Sequence, residues 1–181
     1  MKEVWAIRTR LEMEKNIRNL ALFNLALDSK LRGCDLVRLT VGDVASGGEV
    51  KERATIIQKK TGRPVIFEIT DNTRKSIKKV LIDHRLQSSD YLFQSRLCTS
   101  KRLSTRQYAR IVQQWVGSIG LNPSTYGTHS LRRTKAALIY RKTGNLRAVQ
   151  LLLGHTKLES TVRYLGVDVD DALEISSGID L

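Results

Sequence analysis

Proline and cysteine are scarce in this sequence, with two residues of each among 181. So few prolines, together with the lack of low-complexity runs, argue against a disordered chain. Cys34 and Cys98 do not have the spacing of metal ligands, and we expect both to be free thiols in a reducing compartment. The N-terminal segment lacks an apolar signal core, and no apolar run reaches the length of a membrane span. We therefore expect a globular, cytoplasmic protein that does not contact membranes.

Two sequence features that are common in enzymes acting on nucleotides and nucleic acids are also missing. No cluster of Asp and Glu has the pattern of a two-metal nuclease site. No GxxxxGK[ST] loop indicates ATP binding. We therefore expect that any reaction of this chain uses neither a metal ion nor another cofactor.

Positive charge is what the sequence has in excess. Lys and Arg number 31 against 18 Asp and Glu, which gives a formal net charge of +13. Small domains usually carry a net charge of about 2 to 8. Cations that neutralise phosphates release counterions, so an excess of this size favours a nucleic-acid partner.

Apolar periodicity predicts a mainly α (α+β) fold, a helical bundle with one small antiparallel β-hairpin. The hairpin pairs two β-branched runs, ATIIQ and PVIFEI, across the turn segment KKTGR. Capping boxes at Thr9/Glu12 and Ser104/Gln107 predict two helix starts. Further helices are expected over residues 35–39, 71–83, 128–142, 145–154 and 159–165. The apolar stripe that follows Ser104 is typical of a core-facing surface rather than a base-stacking one.

Cations, histidines and one tyrosine supply the candidates for chemistry. Six residues stand out by type and position: Arg32, Lys60, His129, Arg132, His155 and Tyr164. Taken singly, each indicates little, because an arginine in a turn is usually solvated and a tyrosine on a short helix is usually half-buried core.

Together these side chains have a chemical logic. Phosphodiester transfer without a metal needs positive charge on the non-bridging oxygens, and guanidinium groups supply it bidentately. A Lys or His can protonate the departing 5′ oxygen. A phenol with a pKa of about 10 is a poor nucleophile unless such neighbours help it. The expected product is a covalent phosphotyrosine that stores the bond energy for rejoining.

The order and spacing of these residues resemble the tyrosine recombinase (phage integrase) family, from about Lys15 to Leu165. The family's first box resembles LRGCDLVRLTVGDV, its hairpin lysine matches the KTG of KKTGR, and its HxxR box matches HSLR. Its LGH box is followed at the correct distance by a tyrosine, since Tyr164 lies nine positions after His155. This last pairing is the most specific. One departure is Arg133, where the family often has His, at a position that is not catalytic.

The resemblance implies a role for each residue. Arg32, Arg132 and His155 would hold the scissile phosphate, and Asp35 would support the site without reacting. Lys60 would be the general acid for the 5′ oxygen, with Lys59 as a competing assignment. His129 would assist proton transfer, and Tyr164 would form the 3′-phosphotyrosyl link.

The resemblance also implies partners. Double-stranded DNA would be bound mainly through phosphate contacts, which position rather than specify. The candidates for these contacts are Arg38, Lys59, Arg63, Lys101, Arg102, Arg106, Arg133, Lys135 and Arg141. Self-association as a dimer or tetramer on DNA is expected, and accessory DNA-bending proteins are further expected partners.

We expect a catalytic domain over residues 1–167 and an acidic tail over residues 168–181, which either docks on a neighbouring subunit or is a frayed terminus. Family members typically carry an N-terminal core-binding domain that closes a clamp around DNA, for which this sequence leaves no room. The chain is then a short member or a fragment. Two other functions share the same features: a non-catalytic DNA-binding regulator or accessory factor that retains the fold, and a relaxing topoisomerase that acts as a monomer.

Overall fold

The computed structural model describes residues 1–96, 101–166 and 177. The longer helices are α1 (Lys2–Met13), α2 (Ile17–Ser29), α5 (Asp71–Asp83), α6 (Thr105–Ser118) and α7 (Thr128–Thr143). The shorter helices are α3 (Gly33–Leu36), α4 (Val41–Val44), α8 (Leu146–Leu153) and α9 (Leu158–Leu165), with a 3₁₀ turn at Pro123–Thr125. The strands are β1 (Ala45–Ser46), β2 (Glu49–Val50), β3 (Arg53–Ile57) and β4 (Pro64–Glu68). The mainly helical prediction is confirmed.

Helix α2 lies at the centre of the fold. It packs against α1, α5, α7 and β4, and residues 21–31 are buried without interruption. Such a helix must satisfy its polar side chains inside the protein. Asp28 does so, because its carboxylate accepts hydrogen bonds from the backbone N–H and hydroxyl of Thr70 and from the hydroxyl of Thr73. It also forms an ion pair with Lys135 at 2.6 Å. One buried carboxylate thus ties α2 to α5 and α7.

The predicted hairpin is confirmed. Strands β3 and β4 pair antiparallel with Arg53 opposite Glu68 and Ile57 opposite Pro64. Alternation decides which face is inward, and Ala54, Val65 and Phe67 are buried there. The turn carries Gly62 at φ +65°, a left-handed conformation that suits glycine. A second two-stranded pairing, β1 with β2, and helix α4 were not predicted from the sequence.

Two predicted helix starts moved. The capping box at Thr9 was wrong, because Thr9 lies inside α1. The cap between the first two helices is Asn16, whose side chain accepts from the N–H of Asn19. For α7, the sequence also suggested Thr128 as the residue that caps the helix, but Thr128 is the first helical residue, and there the hydroxyl of Ser130 accepts from the N–H of Gly127. Several Ser, Thr and Asn side chains near a helix end can form hydrogen bonds to the backbone, so a capping pattern in the sequence does not by itself identify the residue that caps the helix.

Within the part of the chain that the structure describes, two hydrophobic clusters form the core. The larger one unites α1, α2, α5, α6 and the hairpin, and it includes the predicted stripe of α6. In it Phe23 and Trp115 meet edge to face with centroids 5.4 Å apart. The smaller cluster consists of Ala136, Val149 and Leu153, from α7 and α8, with partly buried side chains that include Tyr164 around it. The C-terminal helices therefore form a small unit of their own beside the main core.

Three expectations concern other parts of the chain. Cys98 and the acidic tail at 168–181, apart from residue 177, lie outside the described residues. Cys34 is a free, half-buried thiol. Within the described residues, we find no helix with the length and apolarity needed to cross a membrane.

Candidate active site

The six predicted catalytic residues come from five different parts of the fold. Arg32 immediately precedes α3, and Lys60 lies in the turn between β3 and β4. His129 and Arg132 lie in the first two turns of α7. The remaining two residues are His155, just after the glycine that ends α8, and Tyr164, in the last turn of α9.

Arg132 lies at the centre of the site. It is 2% exposed, and its Nη2 donates a hydrogen bond to the backbone carbonyl of Leu153 at 2.7 Å. The same Nη2 lies 3.5 Å from Nε2 of His155, and the guanidinium carbon lies 5.6 Å from the centroid of the Tyr164 ring. Burial lowers the pKa of Arg132 to about 10, and the charge of Arg32 acts in the same direction. The group remains cationic at neutral pH.

Arg32 reaches the same carbonyl through a third residue. Its Nη1 donates to Oε1 of Gln58 at 2.6 Å. Nε2 of Gln58 in turn donates to the carbonyl of Leu153 at 3.2 Å. Two guanidinium groups from distant parts of the sequence are thus connected through one backbone oxygen at the end of α8.

His155 is held between an arginine and a hydroxyl. Its Nδ1 lies 3.1 Å from Oγ1 of Thr161, and its Nε2 faces Arg132. An arginine N–H can only donate, so Nε2 accepts and the Nδ1–H donates to Thr161 in this arrangement. Burial lowers the pKa of His155 to about 4, and the positive charges of Arg132 and Arg32 add to that effect. The imidazole is therefore neutral at physiological pH.

Tyr164 is half-buried against the other members of the site. Its ring meets the His155 ring edge to face, with centroids 5.4 Å apart at 81°. Its hydroxyl donates to the backbone carbonyl of His129 at 3.3 Å. Burial raises the pKa of Tyr164, against the opposing charges of Arg132, Arg133 and Arg32. Without DNA the phenol is therefore protonated.

The side chains of Lys60 and His129 are exposed. The hairpin that carries Lys60 is anchored one residue earlier, where Oδ1 of Asp35 accepts from the N–H of Lys59 at 2.9 Å. Asp35 is buried, at 3% exposure. For His129, the structure records the backbone carbonyl rather than the imidazole as the contact to Tyr164. The structure therefore brings together Arg32, Arg132, His155 and Tyr164 and leaves Lys60 and His129 as exposed side chains.

The predicted phosphate-contacting cations differ in their exposure. Those with exposed side chains are Arg38, Lys59, Arg63, Lys101, Arg106, Arg133 and Arg141. Arg102 is half-buried. Lys135 donates to the carboxylate of Asp28, so a phosphate would have to compete with that ion pair.

Gln58 and Thr161 are site residues that sequence reasoning missed. Gln58 is 1% exposed and Thr161 is fully buried. Both types are common in surface strands and helices, and only their burial beside the arginines and His155 distinguishes them. The spacing gave a weak signal in each case, since Gln58 lies two residues before Lys60 and Thr161 three before Tyr164. Across the described ranges, no three His, Cys, Asp or Glu side chains are grouped so that they could hold a metal ion.

Known proteins resemble this chain in sequence. The family model described as "Phage integrase family" matches residues 2–170, so the match begins earlier than the predicted Lys15. The probable integrase/recombinase YoeC of Bacillus subtilis (strain 168) is 30% identical over 158 residues, which are 87% of this chain and 82% of that protein. The tyrosine recombinase XerC of Psychromonas ingrahamii is 28% identical over 156 residues, 84% of this chain and 50% of that protein. The chain thus spans about half the length of this XerC relative.

Solved structures share the fold. The crystal structure of XerA recombinase superimposes with a TM-score of 0.78 at 20% identity, over 98% of this chain and 63% of that one. The pre-cleavage complex of the XerH recombinase with difH gives a TM-score of 0.76 at 22% identity, over 97% of this chain and 52% of that one. With the family match over nearly its whole length, this chain belongs to the phage integrase family of tyrosine recombinases.

Proposed function

We propose that this chain is a site-specific DNA recombinase or integrase that cleaves and rejoins DNA through a covalent 3′-phosphotyrosyl intermediate on Tyr164. The observation that carries the proposal is the packing of Arg132 and His155 against the ring of Tyr164, with the positive charge of Arg32 also acting on the phenol. Four separate chain segments produce it, and each supplies a residue type that phosphoryl transfer requires.

The proposed reaction needs no oxidant, metal or nucleotide. The oxygen of Tyr164 attacks the scissile phosphorus, the bond from phosphorus to the 5′ oxygen breaks, and the phenolic proton passes to the imidazole of His129. Lys60 donates a proton to the departing 5′ oxygen. The free 5′-hydroxyl of a partner strand reverses these steps, which restores the phosphodiester and frees Tyr164.

The arginines would stabilise the negative charge that develops on the phosphate during the reaction. The phosphorane that forms during attack carries extra negative charge on its non-bridging oxygens, and preorganised guanidinium groups stabilise that charge without reorganisation. Their second effect is on the nucleophile, because the cations beside Tyr164 lower its pKa against the effect of burial. Expulsion of water by bound DNA would strengthen both effects.

The partners are part of the proposal. Double-stranded DNA would be held by the exposed cations named above, and self-association on DNA would bring two sites together for strand exchange. The catalytic domain would extend over residues 1–167, with the tail at 168–181 docking on a neighbouring subunit. Accessory DNA-bending proteins would help assembly, and a protein that acts on DNA in this way would work in the cytoplasm.

The test is covalent trapping. Duplexes that tile the DNA on both sides of the gene, nicked so that the cleaved strand diffuses away, are incubated with the protein and analysed for protein–DNA adducts under denaturing conditions. We expect adducts with the wild-type protein and none with Tyr164→Phe. Tyr140→Phe is the matched control, because Tyr140 packs against the same small cluster as Tyr164.

Two results would overturn the proposal. The first is no adduct on any duplex with the wild-type protein, which would favour a DNA-binding regulator. The second is an adduct that persists in Tyr164→Phe. Relaxation of a supercoiled plasmid that carries the cleaved site, without any recombinant product, would instead favour a topoisomerase.

A further inference from the structure

The side chain of Gln58 is buried where the β-hairpin meets the two arginines. It follows strand β3 directly and is 1% exposed. Its Oε1 accepts from Arg32 at 2.6 Å and from the hydroxyl of Thr61 at 3.0 Å. Its Nε2 donates to the carbonyl of Leu153 at 3.2 Å.

The chemistry of these contacts fixes the orientation of the amide. An arginine can only donate and a carbonyl can only accept, so Oε1 must face Arg32 and Nε2 must face Leu153. A carboxylate at this position would lack the donor, and an apolar side chain would lack both groups. A primary amide satisfies both partners at once, which is a demanding requirement for a buried position.

The carbonyl of Leu153 is also the acceptor for Arg132, at 2.7 Å. Gln58 therefore connects the two arginines through one oxygen atom. The packing around it is tight, because a Cβ at Gly154 would lie 3.0 Å and 3.1 Å from the Gln58 amide atoms. A side chain held in this way has little freedom to turn away from Arg32.

We propose that Gln58 is a positioning residue that holds the Arg32 guanidinium in a fixed position relative to the Arg132 guanidinium, so that both contact the same scissile phosphate. The inference rests on the proposed function. Gln58 has no proton to give to the reaction and acts through Arg32. Its loss should therefore reduce the stabilisation of phosphate charge while the nucleophile stays in place.

The experiment compares Gln58→Leu with Gln150→Leu. Gln150 is the control because it is likewise buried, at 3% exposure, and its amide oxygen accepts from Arg147 on the same helix. Adduct formation is timed on the duplex that the wild-type protein cleaves. A second duplex carries a methylphosphonate at the scissile position, which removes the negative charge that the arginines neutralise.

We expect Gln58→Leu to slow cleavage of the charged duplex by about tenfold or more, since slight misplacement of a positioning group can cost on the order of 100-fold. On the methylphosphonate the loss should be clearly smaller, because less charge needs to be stabilised. Gln150→Leu should cleave both duplexes like the wild type. A purely structural effect of Gln58 would slow both substrates equally.

Gln58→Glu covers the case in which Gln58→Leu does not fold. The carboxylate keeps an acceptor for Arg32 and Thr61, loses the donor to Leu153, and offsets the Arg32 charge. We expect slow cleavage of the charged duplex and a smaller loss on the methylphosphonate.

Three results overturn the inference: a Gln58→Leu rate equal to that of Gln150→Leu, an equal loss on both substrates, or wild-type cleavage by Gln58→Glu. Each of them requires that the wild-type protein forms the Tyr164 adduct. Failure of the wild-type protein to form it would instead refute the proposed function.

Discussion

Gly154 ends helix α8 at a crowded point of the site, and replacing it with alanine has two physical effects, one on the backbone and one on packing. Its φ is +64°, in the left-handed region. An added Cβ would lie 2.5 Å from Cγ2 of the buried Val65 and 3.0 Å from Nε2 of Gln58. Val65 is β-branched and has few rotamers with which to make room. The methyl group would therefore push on the hairpin and on the amide that holds Arg32.

The expected loss of stability is the sum of a backbone cost and a packing cost. A left-handed conformation costs a residue with a Cβ about 1–2 kcal/mol. Overpacking a well-filled site costs about 1–3 kcal/mol. We expect Gly154→Ala to lower the free energy of unfolding by roughly 2–5 kcal/mol.

Gly144 provides the matched control. It ends α7 at φ +63°, and an added Cβ would meet nothing within 4 Å. Gly144→Ala should therefore cost about 1–2 kcal/mol, from the backbone alone. The difference between the two variants isolates the packing term.

The assay is urea-induced unfolding of both variants, together with the rate of covalent adduct formation. Gly154→Ala should be the less stable and should also cleave more slowly, because Gln58 is displaced. Gly144→Ala should cleave like the wild type. If the two variants lose the same stability to within about 0.5 kcal/mol, the packing argument fails.

Three further predictions concern polar groups that are buried or half-buried. Burial raises the pKa of Asp28, but hydrogen bonds led by that from Lys135 outweigh it and lower the pKa overall. The carboxylate therefore contributes stability above the unfolded pKa of about 3.9 and loses it as pH falls through the folded value. Asp28→Asn should lower the free energy of unfolding by on the order of 3 kcal/mol at pH 7, measured by urea-induced unfolding. The difference in stability between the wild type and Asp28→Asn should shrink in acid, and a difference that stays the same would contradict this. NMR titration should show His155 neutral at pH 6 with a pKa near 4, moving upward in Arg132→Gln, whereas a midpoint near the ordinary 6.5 would refute the role of burial. Thr161→Val should slow adduct formation by about tenfold, since the loss of a buried hydrogen-bond partner, here that of His155, costs about 1–3 kcal/mol. Thr161→Ser keeps the hydroxyl and should retain the rate. Equal rates for the two variants would exclude a role for the hydroxyl.

The local structure was largely readable from the sequence. The hairpin, α5, α6, α8 and α9 lie where periodicity and turn residues indicated, because each is specified by residues close together in the chain. Thr9 shows the limit of this reasoning. A capping pattern occurred within α1, and the side chain of Asn16 caps the next helix, so such a pattern alone does not decide where a helix begins.

The candidate site was readable only in part. The distance from His155 to Tyr164 and the order of the arginine boxes indicated the phosphoryl-transfer chemistry. Gln58 could not be found in this way, since its importance comes from Arg32 and Leu153, which lie far away in sequence. The same holds for Lys135, a predicted phosphate contact whose ammonium group is paired with Asp28.

The chemical inventory of this protein is readable from its sequence: a basic, mainly helical chain with six candidate phosphoryl-transfer residues in family order. Those properties are encoded by residue type and spacing. Which of these side chains lie in contact, and which protonation state each one has, depends on the folded structure. Burial makes His155 neutral and keeps the Tyr164 phenol protonated, and a single carbonyl joins two arginines that lie 100 positions apart in the chain. Electrostatics and hydrogen bonding depend on distance and solvent in the folded protein, and neither is written in the spacing of residues.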